Sequence, residues 1–222
     1  MSLAAEKAKE QIAKMGQKII AAGLVFGTWG NISVRVAKED LVVITPSGID
    51  YGNIHARDMV VLDYAGQLVE GERHPSNETQ MHLAIYRARS DVGAVMHTHS
   101  VFASAMAVAR VAIPPIMEDM AQLIGGGVPV ARYARAATAE LAANAVEALG
   151  ELNAVLLANH GVVGVGRDLN EAFDVCQVVE RSAQVYAWAG LNGQPAELPA
   201  RDIEALRSTY LTVYSKLRKS SC

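Results

Sequence analysis

The chain has 222 residues, a length that suits one domain, because hydrophobic cores usually stop growing well above this size. Hydrophobic residues make up 51% of it and charged residues 19%, which supplies a packed interior and excludes a disordered chain. A net charge of -3 and a pI near 6.1 exclude the broad positive field that attracts nucleic acid. We therefore expect one globular domain over residues 1–222, without a nucleic-acid partner.

Cysteine usage and charge distribution indicate the cellular compartment. Cys176 and Cys222 lie far apart, so we expect no disulfide framework and take a reducing cytoplasm as the simplest location. Charged residues occur throughout residues 1–24, which excludes the apolar core of a signal peptide. No stretch approaches the roughly 20 apolar residues of a membrane helix, so we expect no membrane association.

The first 90 residues contain two predicted helices around three predicted strands. Apolar residues at helical spacing predict an amphipathic helix over residues 4–22. A glycine-punctuated loop follows, and apolar runs then predict short strands at 32–36, 41–44 and 59–62, which we expect to pair antiparallel. Ser76 and Asn77 precede an apolar stripe and predict a capped helix to residue 89.

Strands and helices alternate through the remainder, which predicts a mixed α/β domain without internal repeats. The predicted strands are 94–99, 128–130, 154–158 and 162–165. The predicted helices are 100–108, 117–123, 138–149, 169–189 and 203–219.

Three of the six histidines fall at the ends of apolar strands. His97 and His99 are two residues apart on an extended segment, so both rings project from one face of the strand, and His160 terminates a later strand. An unpaired polar ring in an apolar interior is costly, which favours a metal site over isolated core histidines. With the carboxylate of Glu78 they make a four-ligand set suited to zinc, although Glu78 alone is equally explained as a first-turn helix carboxylate. We interpret the other three as surface or core-edge residues: His55, His74 and His82.

Three turns combine small residues, hydroxyls and glycine or proline, at residues 27–31, 45–48 and 75–78. Each alone is typical of an ordinary turn or cap. Together they are able to surround an anion, because the last contributes a helix N-terminus and the others offer hydroxyls and accessible backbone amides.

Five motifs now stand in order along nearly the whole chain: Gly30-Asn31-Ile32-Ser33, Thr45-Pro46-Ser47-Gly48, Pro75-Ser76-Asn77-Glu78, His97-Thr98-His99 and Asn159-His160-Gly161. In order and spacing they resemble the class II aldolase and adducin-head family. The resemblance implies a three-layer α/β/α domain around a mainly antiparallel sheet. It also implies a homotetramer whose active sites lie between subunits.

The resemblance further implies a role for each matching residue. Zinc would be bound by His97, His99 and His160 together with Glu78, which also acts as acid/base; Mn²⁺, Fe²⁺ or Co²⁺ would fit the same ligands. The residues implied in phosphate binding are Gly30, Asn31, Ser47, Gly48, Ser76 and Asn77, of which Asn77 stands where the aldolases commonly have a second serine.

Two positions concern the aldehyde end of the substrate. Glu118 stands where the aldolases have a tyrosine proton donor, so it is either a replacement acid/base or a helix-surface carboxylate beside Asp119. A C-terminal tyrosine from the neighbouring subunit also serves such enzymes. Tyr214 is the better match and Tyr210 the alternative, and either tyrosine is also explained by packing.

The implied activity is reversible cleavage of a ketose 1-phosphate into dihydroxyacetone phosphate and an aldehyde, through a metal-stabilised enediolate. L-Fuculose 1-phosphate, 5-deoxyribulose 1-phosphate and 5-methylthioribulose 1-phosphate are candidate substrates. Alternatives on the same scaffold are a ribulose-phosphate 4-epimerase, a methylthioribulose-phosphate dehydratase and a sugar-acid phosphate decarboxylase. A non-catalytic, adducin-like association module is disfavoured because the three histidines and Glu78 are all present.

Overall fold

A computed structural model describes residues 2–214 of the chain. Its helices are α1 (Leu3–Ala21), α2 (Thr79–Ala88), α3 (Val101–Ala109), α4 (Glu118–Leu123), α5 (Ala139–Leu149), α6 (Leu169–Asn192) and α7 (Ala200–Thr209). Its strands are β1 (Asn31–Val36), β2 (Leu41–Ile44), β3 (Val60–Asp63), β4 (Leu68–Glu70), β5 (Ala94–Thr98), β6 (Val130–Ala131), β7 (Ala154–Leu157) and β8 (Gly161–Gly166). Short 3₁₀ turns cover Ala37–Glu39 and Ala56–Asp58, and a π-helical turn, Tyr210–Tyr214, follows α7. Within this described part, no helix is both long and apolar enough to cross a bilayer.

The strands form one eight-stranded sheet in the order β4-β3-β2-β1-β5-β8-β7-β6. Every neighbouring pair is antiparallel except β6 and β7, which run parallel. The expected antiparallel pairing of the first three strands and the mainly antiparallel central sheet are therefore confirmed.

Helices cover both faces of the sheet, because successive strand residues point to opposite sides. Val95, Val155 and Val163 pack in one cluster with the apolar residues of α2 and α5. Ala94 and Leu156, each one residue along its strand, face the opposite side, where α1, α3, α4 and α6 pack. The result is the three-layer α/β/α arrangement that the family resemblance implies.

Element boundaries differ from the predictions at several points. The edge strand β4 was not predicted, because its residues Leu68 and Val69 are largely exposed and give no buried pattern. Helix α2 begins three residues later than predicted, since the Ser76 hydroxyl accepts a hydrogen bond from the Glu78 N–H and Ser76 remains in a turn. Helix α6 continues to Asn192. The final helix, predicted over residues 203–219, is observed as α7 and the π-helical turn up to Tyr214, and residues 215–219 of that prediction lie outside the described residues.

A buried carboxylate joins the C-terminal elements to the sheet layer. Glu171, in the first turn of α6, accepts hydrogen bonds from the Arg167 backbone N–H at 2.7 Å and from the Tyr210 hydroxyl at 2.8 Å. Burial alone would raise the pKa of Glu171, but these hydrogen bonds and the Arg167 guanidinium hold it below its usual value. Glu171 is therefore ionised at neutral pH and anchors the turn that follows α7.

Replacing Tyr210 by Phe should lower the free energy of unfolding by about 1–2 kcal/mol, because it removes a buried hydrogen bond to a charged acceptor. The folded-state pKa of Glu171 is depressed, so this contribution is present above the unfolded value of about 4.3 and is lost as the pH falls through the folded value. Urea unfolding at pH 7 and in acid measures the difference. Tyr133→Phe, at a largely exposed ring, is the matched control. Equal stability of the two variants at pH 7 would contradict this anchoring role.

Candidate metal centre and active site

The start of β1, the end of β5 and the start of β8 lie side by side at one end of the central strands. Asn31 at the start of β1 pairs with His97 near the end of β5, and Thr98 pairs with Val162 at the start of β8. In antiparallel strands the end of one lies beside the start of the next. His160 immediately precedes β8, so it lies at the same end of these strands as His97 and His99.

The three histidine rings form a compact cluster. One nitrogen from each of His97, His99 and His160 lies within 4.8 Å of the other two, and the Nε2 atoms of His97 and His99 are 2.8 Å apart. The Nδ1–H of His97 donates to the Val162 carbonyl at 2.9 Å, which leaves its Nε2 lone pair facing the cluster. Burial lowers the pKa of His97 to about 3 and also lowers that of His99, so both rings are neutral, the form that binds metal.

Glu78, the residue immediately before α2, points its carboxylate at this cluster. Its Oε2 atom lies 3.2 Å from His97 Nε2 and accepts a hydrogen bond from Asn31 Nδ2 at 2.8 Å, while Oε1 lies 3.5 Å from His160 Nε2. Burial would raise the pKa of Glu78, but the adjacent histidines and the Asn31 amide more than offset burial and place it below its usual value. The carboxylate is thus ionised at neutral pH.

The donor set fits a divalent cation. Glu78 Oε1 is buried and accepts no hydrogen bond, which is rare for a carboxylate oxygen unless another partner satisfies it. Neutral imidazole nitrogens and a carboxylate are the ligands that zinc prefers, and manganese, iron and cobalt accept the same set. The site residues therefore suit an ion that would occupy the space between the three rings.

The three predicted turns line one cavity beside these histidines. The Ser47 N–H donates to the His74 carbonyl, the Ser76 N–H donates to the Thr45 carbonyl, and Pro46 bridges Pro75. These contacts join the turns at 45–48 and 75–78, and with the turn at 27–31 they line a cavity of about 360 Å³. Its walls include all six residues predicted to bind phosphate and also Thr28, Trp29, Glu78, His99, Ala136, Ala137 and His160.

Three features of the site were not predicted from the sequence. The Trp29 ring stacks on His99 with 5.9 Å between centroids, although the sequence placed Trp29 only in a loop. The loop between β6 and α5 adds Ala136 and Ala137 to the cavity wall. His82, interpreted as a surface or core-edge residue, is fully buried and bonded to Asn31. Its position four residues after Glu78, on the same helix face, was an available signal.

A model of the Class II Aldolase and Adducin N-terminal domain matches residues 10–187. The chain belongs to the class II aldolase and adducin family. It is 38% identical over 205 residues to a 5-deoxy-D-ribulose 1-phosphate aldolase of Bacillus thuringiensis serovar kurstaki, covering 92% of this chain and 96% of that protein. It is 35% identical over 208 residues to the L-ribulose-5-phosphate 4-epimerase UlaF of Salmonella paratyphi B, covering 89% and 91%. A solved structure of an L-fuculose 1-phosphate aldolase superposes with a TM-score of 0.90 at 40% identity, covering 92% and 96%.

Glu118 and Tyr210, two of the residues predicted for the aldehyde end of the substrate, do not line the cavity beside the histidines. Glu118 begins α4 and lines a second cavity, which it shares with residues of α7 and with Tyr210. Tyr210 is buried, and its hydroxyl is bonded to Glu171. The Tyr214 side chain lies outside the described residues. A single chain therefore brings together the predicted metal and phosphate residues but not Glu118.

Gly161→Ala should weaken zinc binding by about 10- to 100-fold, the usual effect of disturbing the shell around metal ligands. A Cβ at this position would meet the Thr98 carbonyl oxygen at 2.4 Å and ring carbons of His99 and His97 at 3.1 and 3.2 Å. Zinc titration of the metal-free protein, with circular dichroism to verify folding, measures the effect. Gly190→Ala is the matched control, because its Cβ would meet nothing within 4 Å. A folded Gly161→Ala protein with the parent's zinc affinity would contradict the close packing described here.

Proposed function

We propose that this chain is a zinc-dependent aldolase that reversibly cleaves a ketose 1-phosphate into dihydroxyacetone phosphate and an aldehyde. The substrate class comprises 5-deoxyribulose 1-phosphate, 5-methylthioribulose 1-phosphate and L-fuculose 1-phosphate. The observation that carries the proposal is the convergence of three imidazole nitrogens and the Glu78 carboxylate beside a cavity lined by three phosphate-type turns. The family membership and the relative named as a 5-deoxyribulose 1-phosphate aldolase support it.

The metal would be held by His97, His99, His160 and Glu78. When bound, zinc supplies a Lewis acid that accepts substrate oxygens and neutralises the negative charge developing on the enediolate. The backbone amides and hydroxyls of the three turns bind the phosphate and so fix the distance between that group and the carbonyl carbon. The same cavity accommodates both ends of dihydroxyacetone phosphate.

Glu78 is the proposed acid/base. In cleavage, the C4 hydroxyl loses its proton to a base, and the electrons of the breaking C3–C4 bond move onto the C2 carbonyl. Glu78, ionised at rest, then takes a proton from water and delivers it to C3, which returns Glu78 to the carboxylate. In synthesis, the Glu78 carboxylate removes that proton from dihydroxyacetone phosphate. A general acid/base typically contributes about 10²- to 10⁴-fold, so stabilisation of the developing charge is assigned the larger share.

The second candidate is a ribulose-phosphate 4-epimerase. A 35% identical relative bears that name, and an epimerase of this kind would use the same histidines to cleave and re-form one carbon–carbon bond. Fixation of the phosphate at one end of the cavity and of the reacting carbonyl at the other is compatible with both reactions. The two activities differ in whether the two fragments of the cleaved bond leave the protein or are joined again with inverted configuration at C4.

We expect the zinc-loaded protein to release dihydroxyacetone phosphate from at least one of the three ketose 1-phosphates. The release is measured with a coupled glycerol-phosphate dehydrogenase, and the same mixtures are examined by NMR for epimers. A chelator should abolish the release and added zinc should restore it, because charge stabilisation requires the ion. Glu78→Gln should reduce turnover by about 10²- to 10⁴-fold. An epimer without free triose phosphate would favour the second candidate, and zinc-independent cleavage would exclude the proposed mechanism.

We further propose that the chain forms a homotetramer and that Glu118 and Tyr214 act in the site of a neighbouring subunit. Glu118 does not line the cavity beside its own histidines, so it reaches a substrate only if another copy of the chain brings it there. Phe26 and Trp29, in the loop that precedes β1, are 84% and 62% exposed, and such aromatic residues are typical of buried contacts between subunits.

If Glu118 shuttles the proton of the C4 hydroxyl, Glu118→Gln should reduce turnover by at least about 10²-fold. Steady-state cleavage of the best ketose 1-phosphate measures this, and Asp119→Asn provides a control at the adjacent carboxylate. Turnover of Glu118→Gln within about threefold of the parent would remove Glu118 from the mechanism, since the loss of an acid/base costs far more.

A further inference from the structure

A chain of buried hydrogen bonds runs from the core to the Glu78 carboxylate, and His82 stands at its centre. Nδ1 of His82 lies 2.6 Å from Ser33 Oγ, which lies 2.8 Å from the Tyr86 hydroxyl. Nε2 of His82 lies 2.5 Å from Asn31 Oδ1, and Asn31 Nδ2 lies 2.8 Å from Glu78 Oε2. His82 and Ser33 are fully excluded from solvent.

When Glu78 is ionised, only one assignment of donors and acceptors satisfies every hydrogen bond in this series. The carboxylate only accepts, so Asn31 must turn its amide N–H₂ towards Glu78 and its carbonyl oxygen towards His82. That oxygen requires a donor, which makes His82 the Nε2–H tautomer. Burial lowers the pKa of His82 to about 3, so the ring is neutral, and its Nδ1 accepts from the Ser33 hydroxyl, which in turn accepts from Tyr86.

We propose that His82 is a positioning residue that fixes the orientation of the Asn31 amide and, through it, the position of the Glu78 carboxylate. Without a donor at Nε2, the Asn31 amide is free to rotate by 180°, which would bring its carbonyl oxygen against Glu78 Oε2. Two acceptors at that distance repel each other, so the carboxylate would move away from His97. The inference rests on the proposed role of Glu78 as acid/base.

The packing of helix α2 does not require these hydrogen bonds. Helix α2 packs on the sheet through an apolar cluster that includes Met81, Leu83 and Ile85, and an apolar residue at position 82 would serve that packing at least as well. A buried polar network is costly unless every member is satisfied, and the four links of this one end at the proposed acid/base. A structural role alone predicts loss of stability, whereas the positioning role predicts loss of one proton-transfer step.

Two isosteres separate these explanations. Gln places an amide N–H₂ near the position of Nε2 and keeps the donor to Asn31, whereas Asn ends near the position of Nδ1 and does not reach Asn31. Exchange of the C3 proton of dihydroxyacetone phosphate in D₂O, followed by NMR, isolates the step assigned to Glu78. We expect about 10²-fold slower exchange in His82→Asn, the usual penalty for a displacement of about 1 Å, and exchange within about tenfold of the parent in His82→Gln. All three proteins are compared with zinc at saturation and the zinc content measured, because Glu78 is also a proposed ligand.

Exchange at the parent rate in zinc-loaded His82→Asn, or equal losses in both variants, would overturn the proposal. A second measurement is independent of activity: histidine ¹⁵N NMR of the metal-free protein at pH 7 should show His82 protonated at Nε2 and unprotonated at Nδ1. The opposite tautomer or a doubly protonated ring would also overturn it. Absence of exchange in the parent would instead count against the proposed aldolase, and in that case the tautomer decides the positioning role on its own.

Discussion

The site depends on the register of β5 between its neighbours β1 and β8. That register pairs His97 with Asn31 on one side and with Val163 on the other, on the sheet face covered by α2. Side chains alternate along a strand, so a slip of one residue would bring Met96 to this face and turn His97 towards α6. The same pairing places the end of β5 beside the start of β8 and therefore His99 beside His160. Three histidines from two distant segments become one cluster because of backbone hydrogen bonds.

Burial suits this cluster to metal binding, because it keeps the rings of His97 and His99 in the neutral form. The neutral rings of His97 and His99 and the ionised carboxylate of Glu78 lie together there, and Glu78 Oε1, a buried oxygen without a hydrogen-bond partner, faces His160. Two glycines permit the necessary close approach of the backbone. Gly161 leaves room for the rings of His97 and His99, and a Cβ on Gly30, whose φ is +94°, would meet the His97 carbonyl oxygen at 2.7 Å. Local backbone choice, strand register and charge state thus act on the same few atoms.

Periodicity predicted most of the strands and helices, and strand-end histidines indicated a metal site, because both signals are local in sequence. The three-layer arrangement was implied only by the family resemblance. What sequence left undetermined depends on contacts. Leu68 and Val69 lie in an edge strand whose side chains are largely exposed, so no buried pattern marks it. The sequence predicts Ser76 as a helix cap, but its hydroxyl accepts a hydrogen bond from the Glu78 N–H within a turn before the helix. His82 lies one helical turn after Glu78, which shows that the two share a helix face but not that Asn31 lies between them. Only the pairing of β1 with β5 brings Asn31 there.

The two halves of the proposed substrate meet very different surroundings. Under the proposed function, the half that becomes dihydroxyacetone phosphate would lie among the turns, the histidines and Glu78, and all of them belong to one chain. The cavity wall also includes the exposed ring of Trp29 and the small side chains of Ala136 and Ala137, and none of these three residues is an acid or a base. One chain therefore holds the groups needed to exchange a proton on the triose phosphate. Under the proposed function and the proposed homotetramer, discrimination among aldehydes would therefore depend on groups that a neighbouring subunit adds at this side of the cavity.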